Sequence, residues 1–195
     1  MKRFYLMMVV VIVVLLVGCV KGDLKTNTVM QANLTDREAA ILSVTSNGHF
    51  IYDFKVDNSY KKLSVWLEKY EAGQLVEEVN RISSEISKEG TIIFANSNAS
   101  ESIDPTLLSI TIHSDQSSAT GWTSEVMNEE ELSTIWESYP LEDGISIDDE
   151  LILASISYSS SETGMRTLSE EFYKNGKIDE LANYDVVYVL KCLFY

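Results

Sequence analysis

The sequence predicts a mainly β protein, built as an antiparallel β-sandwich. Most of the chain after residue 48 alternates apolar and polar residues with a period of two, as half-buried strands do. The apolar positions are rich in β-branched and aromatic residues, and clusters of Gly, Ser, Asn and Asp separate the runs. At this length the pattern favours two packed sheets of immunoglobulin-like type, with a closed β-barrel as the alternative.

Residues 1–18 predict a signal peptide. Lys2 and Arg3 precede the apolar stretch 4–17, which is shorter than the roughly 20 residues of a comfortable membrane span. The sequence Leu16-Val17-Gly18-Cys19 resembles the lipobox of bacterial prolipoproteins. This resemblance implies cleavage between Gly18 and Cys19, a diacylglyceryl group on the Cys19 thiol, and a chain anchored by lipid at the extracytoplasmic face of the cell membrane. An uncleaved single-span anchor is the alternative.

The segment that follows the lipobox is polar and without periodicity. We therefore expect residues 19–34 to be the lipidated cysteine and a tether, and residues 35–195 to be a single β-rich extracytoplasmic domain. Thr35 and Glu38 have the spacing of a capping box, which predicts a short helix or a turn at the start of that domain.

Six runs within the domain have the length and composition of strands. They are HFIYDFKV (49–56), KLSVWLEKY (62–70), GTIIFAN (90–96), LLSITIHS (107–114), LILASISYS (151–159) and DVVYVLKCLFY (185–195). Because Cys192 falls on the apolar face of the last run and has no partner once Cys19 is lipidated, we expect a buried and unreactive thiol.

One segment departs from the strand pattern. Asn128 is a suitable cap, and the glutamates of 129–131 would occupy a first helical turn, where the helix dipole favours them. Apolar residues then recur at helical spacing up to Pro140, at Leu132, Ile135, Trp136 and Tyr139. The sequence therefore predicts one short helix around 129–138.

Two short stretches share the pattern Tyr-x-x-Gly-polar-aliphatic, at 70–75 and 173–178. Each predicts a hairpin turn that needs Gly at positive φ, whereas duplication of a half-domain would require similarity beyond these positions. The first hairpin, with YEAG between two strands, resembles small uncharacterised lipoproteins of Gram-positive bacteria. That resemblance implies no particular activity.

The chain is strongly acidic, with a formal net charge of −15 and neither Lys nor Arg between Glu89 and Glu162. This charge disfavours nucleic acid as a partner and favours a basic protein. Five carboxylates surround a glycine in one loop, a set of hard oxygen ligands that suits Ca²⁺: Glu142, Asp143, Asp148, Asp149 and Glu150. Their spacing is not that of an EF-hand, and a solvated acidic surface is the alternative. No other cofactor is predicted.

Common catalytic motifs, such as Gly-x-Ser-x-Gly, a Walker loop or His-Glu-x-x-His, are absent from the sequence. His113 has Asp115 two residues on, but the spacing supplies neither a third ligand nor a nucleophile. We therefore expect a membrane-anchored lipoprotein whose domain binds a protein partner, an envelope component or a membrane complex. The alternatives are a small envelope hydrolase or metal-dependent enzyme around His113 and the acidic loop, and an accessory solute-binding subunit of a transporter.

Overall fold

The computed structural model describes residues 25–97, 106–115, 117–125, 132–139, 144–161 and 164–195. Within these residues lie two α-helices, α1 (Asp36–Thr45) and α2 (Glu170–Asn175), and a 3₁₀ helix (Ile178–Asn183). The strands are β1 (Thr28–Gln31), β2 (Gly48–Lys55), β3 (Lys62–Glu71), β4 (Gln74–Glu85), β5 (Glu89–Ser97), β6 (Thr106–Ser114), β7 (Ser117–Glu125), β8 (Ser133–Ser138), β9 (Ile145–Ser146), β10 (Leu151–Ser159) and β11 (Val186–Phe194).

The strands form two antiparallel sheets that pack against each other. Sheet A has the order β7-β6-β5-β2-β1-β9, and sheet B has the order β4-β3-β11-β10-β8. All six runs that the sequence predicts as strands are strands, and the prediction of a mainly β sandwich is confirmed. The described strands form two separate sheets rather than the closed barrel of the alternative.

The main core lies between the sheets and follows from the alternation of side chains along each strand. In β2, Phe50, Tyr52 and Phe54 are buried while their neighbours point away from the core. The Tyr52 hydroxyl donates a hydrogen bond to the Leu153 carbonyl of sheet B at 2.8 Å. This bond satisfies a buried phenol and joins the two sheets. Cys192 is also fully buried in this core, which confirms its predicted burial.

A second core covers the outer face of sheet B. Phe172 and Tyr173 of α2 and Leu181 of the 3₁₀ helix pack with Val187 and Val189 of β11. The side chain of Ser169 caps α2 at its start, and Gly176 ends the helix in the left-handed conformation.

The two Tyr-x-x-Gly stretches therefore adopt different structures. The first is the predicted β3–β4 hairpin, in which Ala72 and Gly73 have φ of 47° and 79°. The prediction of a second hairpin at 173–178 is wrong, because Gly176 is the C-cap of α2. Both positions need positive φ, so the same glycine pattern serves a hairpin in one place and a helix end in the other.

The predicted helix around 129–138 is wrong over its described part, since Ser133–Ser138 form β8 and pair with β10. Residues 129–131 lie outside the described residues. Trp136 packs against Phe50 and Phe94, with ring centroids 5.3 and 6.0 Å apart. Pairing with β10 and the β-branched Thr134 and Ile135 outweigh the local helix signal.

The predicted tether also contains a strand. Thr28–Gln31 form β1, which pairs with β2 and β9, and Val29 is fully buried. Since Thr28–Gln31 belong to sheet A, the sandwich begins before the predicted boundary at residue 35. Four residues are too few to show a clear alternation, which explains why the sequence pattern missed this strand.

Candidate functional site

Gly18 and Cys19, the predicted cleavage and lipidation site, lie outside the described residues. Glu142 and Asp143 of the predicted calcium loop also lie outside them. Cleavage, lipidation and calcium binding thus stay predictions. In the described part of the chain, no helix has the length and apolar character that crossing a bilayer requires.

The described half of the acidic loop is exposed and partly engaged with other groups. The Glu150 carboxylate pairs with the Lys191 ammonium at 2.8 Å, and Asp149 accepts a hydrogen bond from the Glu150 backbone at 2.9 Å. Asp148 is exposed. Among the described residues, His, Cys, Asp and Glu form no group of three or more that would hold a metal ion.

Helix α1 lies outside the sandwich and is held at its start by the predicted capping box. The Thr35 backbone N–H donates to Glu38 Oε2 at 2.8 Å, and the Glu38 N–H donates to Thr35 Oγ1 at 3.3 Å. These bonds satisfy two of the backbone donors that a helix N-terminus leaves unpaired. None of the α1 residues is buried, and Ile41 remains 51% exposed.

A cleft of about 380 Å³ opens between α1 and the outer face of sheet A, the face turned away from sheet B. The residues before and within α1 form one wall: Ala32, Asn33, Leu34, Glu38, Ile41 and Leu42. The strands form the floor with Ile51 and Asp53 of β2, Thr91 and Ile93 of β5, and His113 of β6. Ile51 pairs with Ile93, so two isoleucines lie side by side at the centre of the floor.

Of the predicted site residues that the structure describes, His113 lines this cleft. It pairs in register with Thr91, whose hydroxyl donates to Asp53 Oδ1 at 2.9 Å. The cleft therefore brings together the His113 imidazole, the Thr91 hydroxyl and the Asp53 carboxylate, and the hydroxyl donates its hydrogen bond to the carboxylate. If Thr91 were a nucleophile activated by His113, its hydroxyl would instead donate a hydrogen bond to the imidazole.

The chemistry of the cleft is that of a binding surface. Five of its eleven lining residues are isoleucine or leucine, and Glu38 and Asp53 supply carboxylates. The hydrogen bond that Asp53 accepts comes from the neutral hydroxyl of Thr91. A volume of about 380 Å³ lies within the range of about 300–1,000 Å³ that is usual for ligand pockets.

A second, more polar cleft of about 560 Å³ lies at the end of β10, beside the 3₁₀ helix. Ser159, Arg166, Glu180 and Tyr184 are among its lining residues. The Tyr184 hydroxyl donates to the Arg166 carbonyl, and Ser169 donates to Glu180 from both its backbone and its hydroxyl. These bonds from Ser169 hold the pKa of Glu180 below its ordinary value. These hydrogen bonds join residues 166–169 to residues 180–184, which indicates that the polar groups around this cleft mainly hold that segment of the chain against sheet B.

Sequence reasoning missed the α1 cleft, although one signal was present. Ile51 and Ile93 occupy positions of β2 and β5 whose side chains point away from the core, where polar residues are the rule. Aliphatic residues on that face indicate that something else packs there, which in this chain is α1 and the cleft beside it.

Comparisons with known proteins identify the fold unit but no activity. No curated protein and no solved structure matches the chain. The family model of the YgaN domain matches residues 28–194, which begin at the first residue of β1 and end at the last residue of β11. The match thus spans both sheets and most of the chain. This chain belongs to the YgaN domain family.

Proposed function

We propose that this protein is a lipid-anchored, extracytoplasmic binding domain that receives a basic, partly apolar segment of a partner protein in the α1 cleft. The observation on which this proposal chiefly rests is the open cleft itself. Its floor and wall expose aliphatic side chains in a domain whose other large aliphatic residues mostly fill two closed cores.

The charge of the cleft and of the chain supports a basic partner. Glu38 and Asp53 line the cleft, Asp36 begins α1, and the whole chain carries a formal charge of −15. Charge complementarity of this kind speeds association and excludes acidic partners. The apolar floor would take aliphatic side chains from the same segment, as grooves that bind amphipathic segments do.

The short segment between Cys19 and the sandwich limits how far an anchored protein could lie from the membrane. Cys19 lies six residues before Lys25, where the described residues begin. Even fully extended, six residues span roughly 20 Å. With the lipid on Cys19, the sandwich would lie close to the membrane surface, and the partner segment would be bound there. Intact mass measurement of the protein from its native host tests the lipid, since an unmodified Cys19 behind an intact N-terminus contradicts it.

Binding is tested with three labelled peptides of equal length, composed of Leu and Lys, Leu and Glu, or Ser and Lys. The chain from Val20 onward is suitable, because both sheets lie within Thr28–Phe194. We expect fluorescence anisotropy to show the tightest binding for the Leu–Lys peptide, and we expect that binding to weaken as salt is added. Equal affinity for the Leu–Glu peptide contradicts the proposal.

Helix α1 offers a matched pair of variants. Ile41 lines the cleft, whereas Val44 lies on the same helix, is 82% exposed and is not part of the cleft lining. We expect Ile41→Asp to weaken binding of the Leu–Lys peptide about tenfold or more, which corresponds to about 1.4 kcal/mol, and Val44→Asp to leave it nearly unchanged. Both variants add the same charge, so equal effects would mean that the peptide binds by nonspecific electrostatics.

A further inference from the structure

The outer face of β5, β6 and β7 has an unusual composition for this chain. The pairings of these strands place twelve side chains on that face in a regular grid: Thr91, Ile93, Ala95 and Ser97 of β5, Leu107, Ser109, Thr111 and His113 of β6, and Ser118, Thr120, Trp122 and Ser124 of β7. None of the twelve is Asp, Glu, Lys or Arg, although the chain contains 30 acidic and 15 basic residues. Seven of them carry a hydroxyl group. We call this surface the β5–β7 platform.

Trp122 is the one residue of the platform that is Phe, Tyr or Trp, and it lies on β7, an edge strand of sheet A. Its side chain is 66% exposed, and it pairs in register with Ser109. Next along the strands, the hydroxyls of Thr111 and Thr120 are 2.9 Å apart, and Ser109 Oγ donates to the Ala95 carbonyl at 3.2 Å. These neighbours are small, so the indole stands above a surface of short hydroxyl side chains.

The exposed indole is not explained by the packing of the sandwich. Most large aromatic side chains of sheet A point inward, as Phe50, Phe54 and Phe94 do. Trp and Tyr are enriched at binding surfaces because they offer a large, flat apolar face together with a polar group. The indole ring, 66% exposed on an edge strand of sheet A, is therefore available for contact with a ligand.

The chemistry of the platform selects among ligands. Nucleic acid would require Lys or Arg for its phosphates, and a basic peptide would require carboxylates. A purely apolar partner would remove water from the hydroxyls of the platform and leave them only the hydrogen bonds that they make within the chain, such as the one between Thr111 and Thr120. A sugar ring has the required combination, since its C–H face stacks on an indole and its hydroxyls exchange hydrogen bonds with Ser and Thr side chains.

We propose that the β5–β7 platform binds an uncharged oligosaccharide, with Trp122 as the stacking residue. Ser109, Thr111 and Thr120 supply hydrogen bonds beside it. The platform shares Thr91, Ile93 and His113 with the floor of the α1 cleft. The residues proposed to contact the saccharide, which are Ser109, Thr111, Thr120 and Trp122, do not line that cleft, so variants at these residues and at Ile41 test the two proposals separately.

The test uses the full chain in a polyoxyethylene detergent, which contains no sugar. The probes are the tetrasaccharides of N-acetylglucosamine and of α-1,4-linked glucose, and binding is measured by calorimetry and by the change in tryptophan fluorescence. We expect at least one tetrasaccharide to bind with a millimolar or lower Kd. We expect Trp122→Ala to weaken binding about tenfold or more and Trp122→Phe to weaken it less, because phenylalanine keeps a smaller stacking face.

Leu75→Ala is the matched control, because Leu75 is an exposed apolar residue of β4 in the other sheet. It should leave saccharide affinity unchanged, as should Ile41→Asp in the cleft. Failure of both tetrasaccharides to bind the unaltered chain overturns the proposal, and so does unchanged binding by Trp122→Ala. Sedimentation decides the competing explanation: if Trp122→Ala abolishes self-association of the chain without changing saccharide binding, the platform is a contact between copies, and the proposal is wrong.

Discussion

Replacing Lys191 by methionine should destabilise the sandwich, because this lysine neutralises a carboxylate that is largely buried on the outer face of sheet B. The Lys191 ammonium lies 2.9 Å from Glu68 and 2.8 Å from Glu150. The side chains of Lys191 and Glu68 are each 13% exposed, whereas that of Glu150 is 44% exposed. The important pair is therefore Lys191–Glu68.

The expected loss in the free energy of unfolding lies between the loss for a buried ion pair and the loss for a surface ion pair. Removing one partner of a fully buried pair costs about 3–5 kcal/mol, and exposed pairs contribute about 0–1 kcal/mol. Glu68 would keep the hydrogen bonds that it accepts from the Trp66 indole and the Tyr70 hydroxyl. We therefore expect Lys191→Met to lower the free energy of unfolding by about 2–3 kcal/mol at pH 7.

The dependence on pH gives the prediction a second, independent part. Burial raises the pKa of Glu68, but hydrogen bonds from Tyr70, Lys191 and Trp66 together hold it below its ordinary value of 4.5. The unaltered protein thus has this stabilisation above pH 4.5 and loses it as the pH falls further. Lys191→Met removes the lowering by the ammonium while burial still acts, so the pKa of Glu68 should be higher in the variant than in the unaltered protein, and acidification should protonate its unpaired carboxylate first. The stability difference between the two proteins should narrow as the pH falls from 7 to 4.

Urea unfolding followed by circular dichroism at several pH values provides the measurement. Lys174→Met is the matched control, because Lys174 pairs with Glu170 at 2.6 Å but both side chains are more than half exposed. We expect this control to leave the free energy of unfolding nearly unchanged. Equal losses in the two variants, or a difference that does not vary with pH, would refute the role given to Lys191.

Three further predictions concern the core, the sandwich edge and α1. The Cys192 thiol is fully buried and burial raises its pKa, so it should resist iodoacetamide until the protein is unfolded. Rapid alkylation of Cys192 in the native protein, located by peptide mass mapping, would contradict its placement. Gly48→Ala should lower the free energy of unfolding by about 1–3 kcal/mol, because a Cβ there would lie 2.6 Å from the Trp136 ring. An unchanged urea midpoint would show that Trp136 does not pack against residue 48. Thr35→Ala should speed hydrogen exchange in α1 without changing global unfolding, since α1 has no buried residue; unchanged exchange in α1 would argue against the capping box.

Much of the sandwich could be predicted from the sequence, because alternation is a local signal. Phe50, Tyr52 and Phe54 show it clearly in one strand. Strand β8 was missed because the glutamates of 129–131 give a strong local helix signal, whereas the pairing that makes Ser133–Ser138 a strand involves β10, some twenty residues away along the chain. Long-range pairing of this kind is invisible to a periodicity argument.

The candidate sites were harder to predict for the same reason. The cleft joins Ile41 of a helix to Ile51 and Ile93 of two strands, and only the fold brings these residues together. The sequence draws attention to His113 by its chemistry, but it does not indicate that His113 lies beside the cleft. Strand β7, with the sequence SSATGWTSE, contains too few apolar residues to be recognised, so the platform around Trp122 appears only once the register is known.

Hydrogen exchange of the chain, with and without the Leu–Lys peptide, tests most directly whether the α1 cleft is the binding site. Binding in the cleft should slow exchange of the α1 amides, Asp36–Thr45, because the helix would be held against sheet A. Unchanged exchange in α1, together with slowed exchange in Ser117–Glu125 or in sheet B, would contradict the cleft as the site of partner binding.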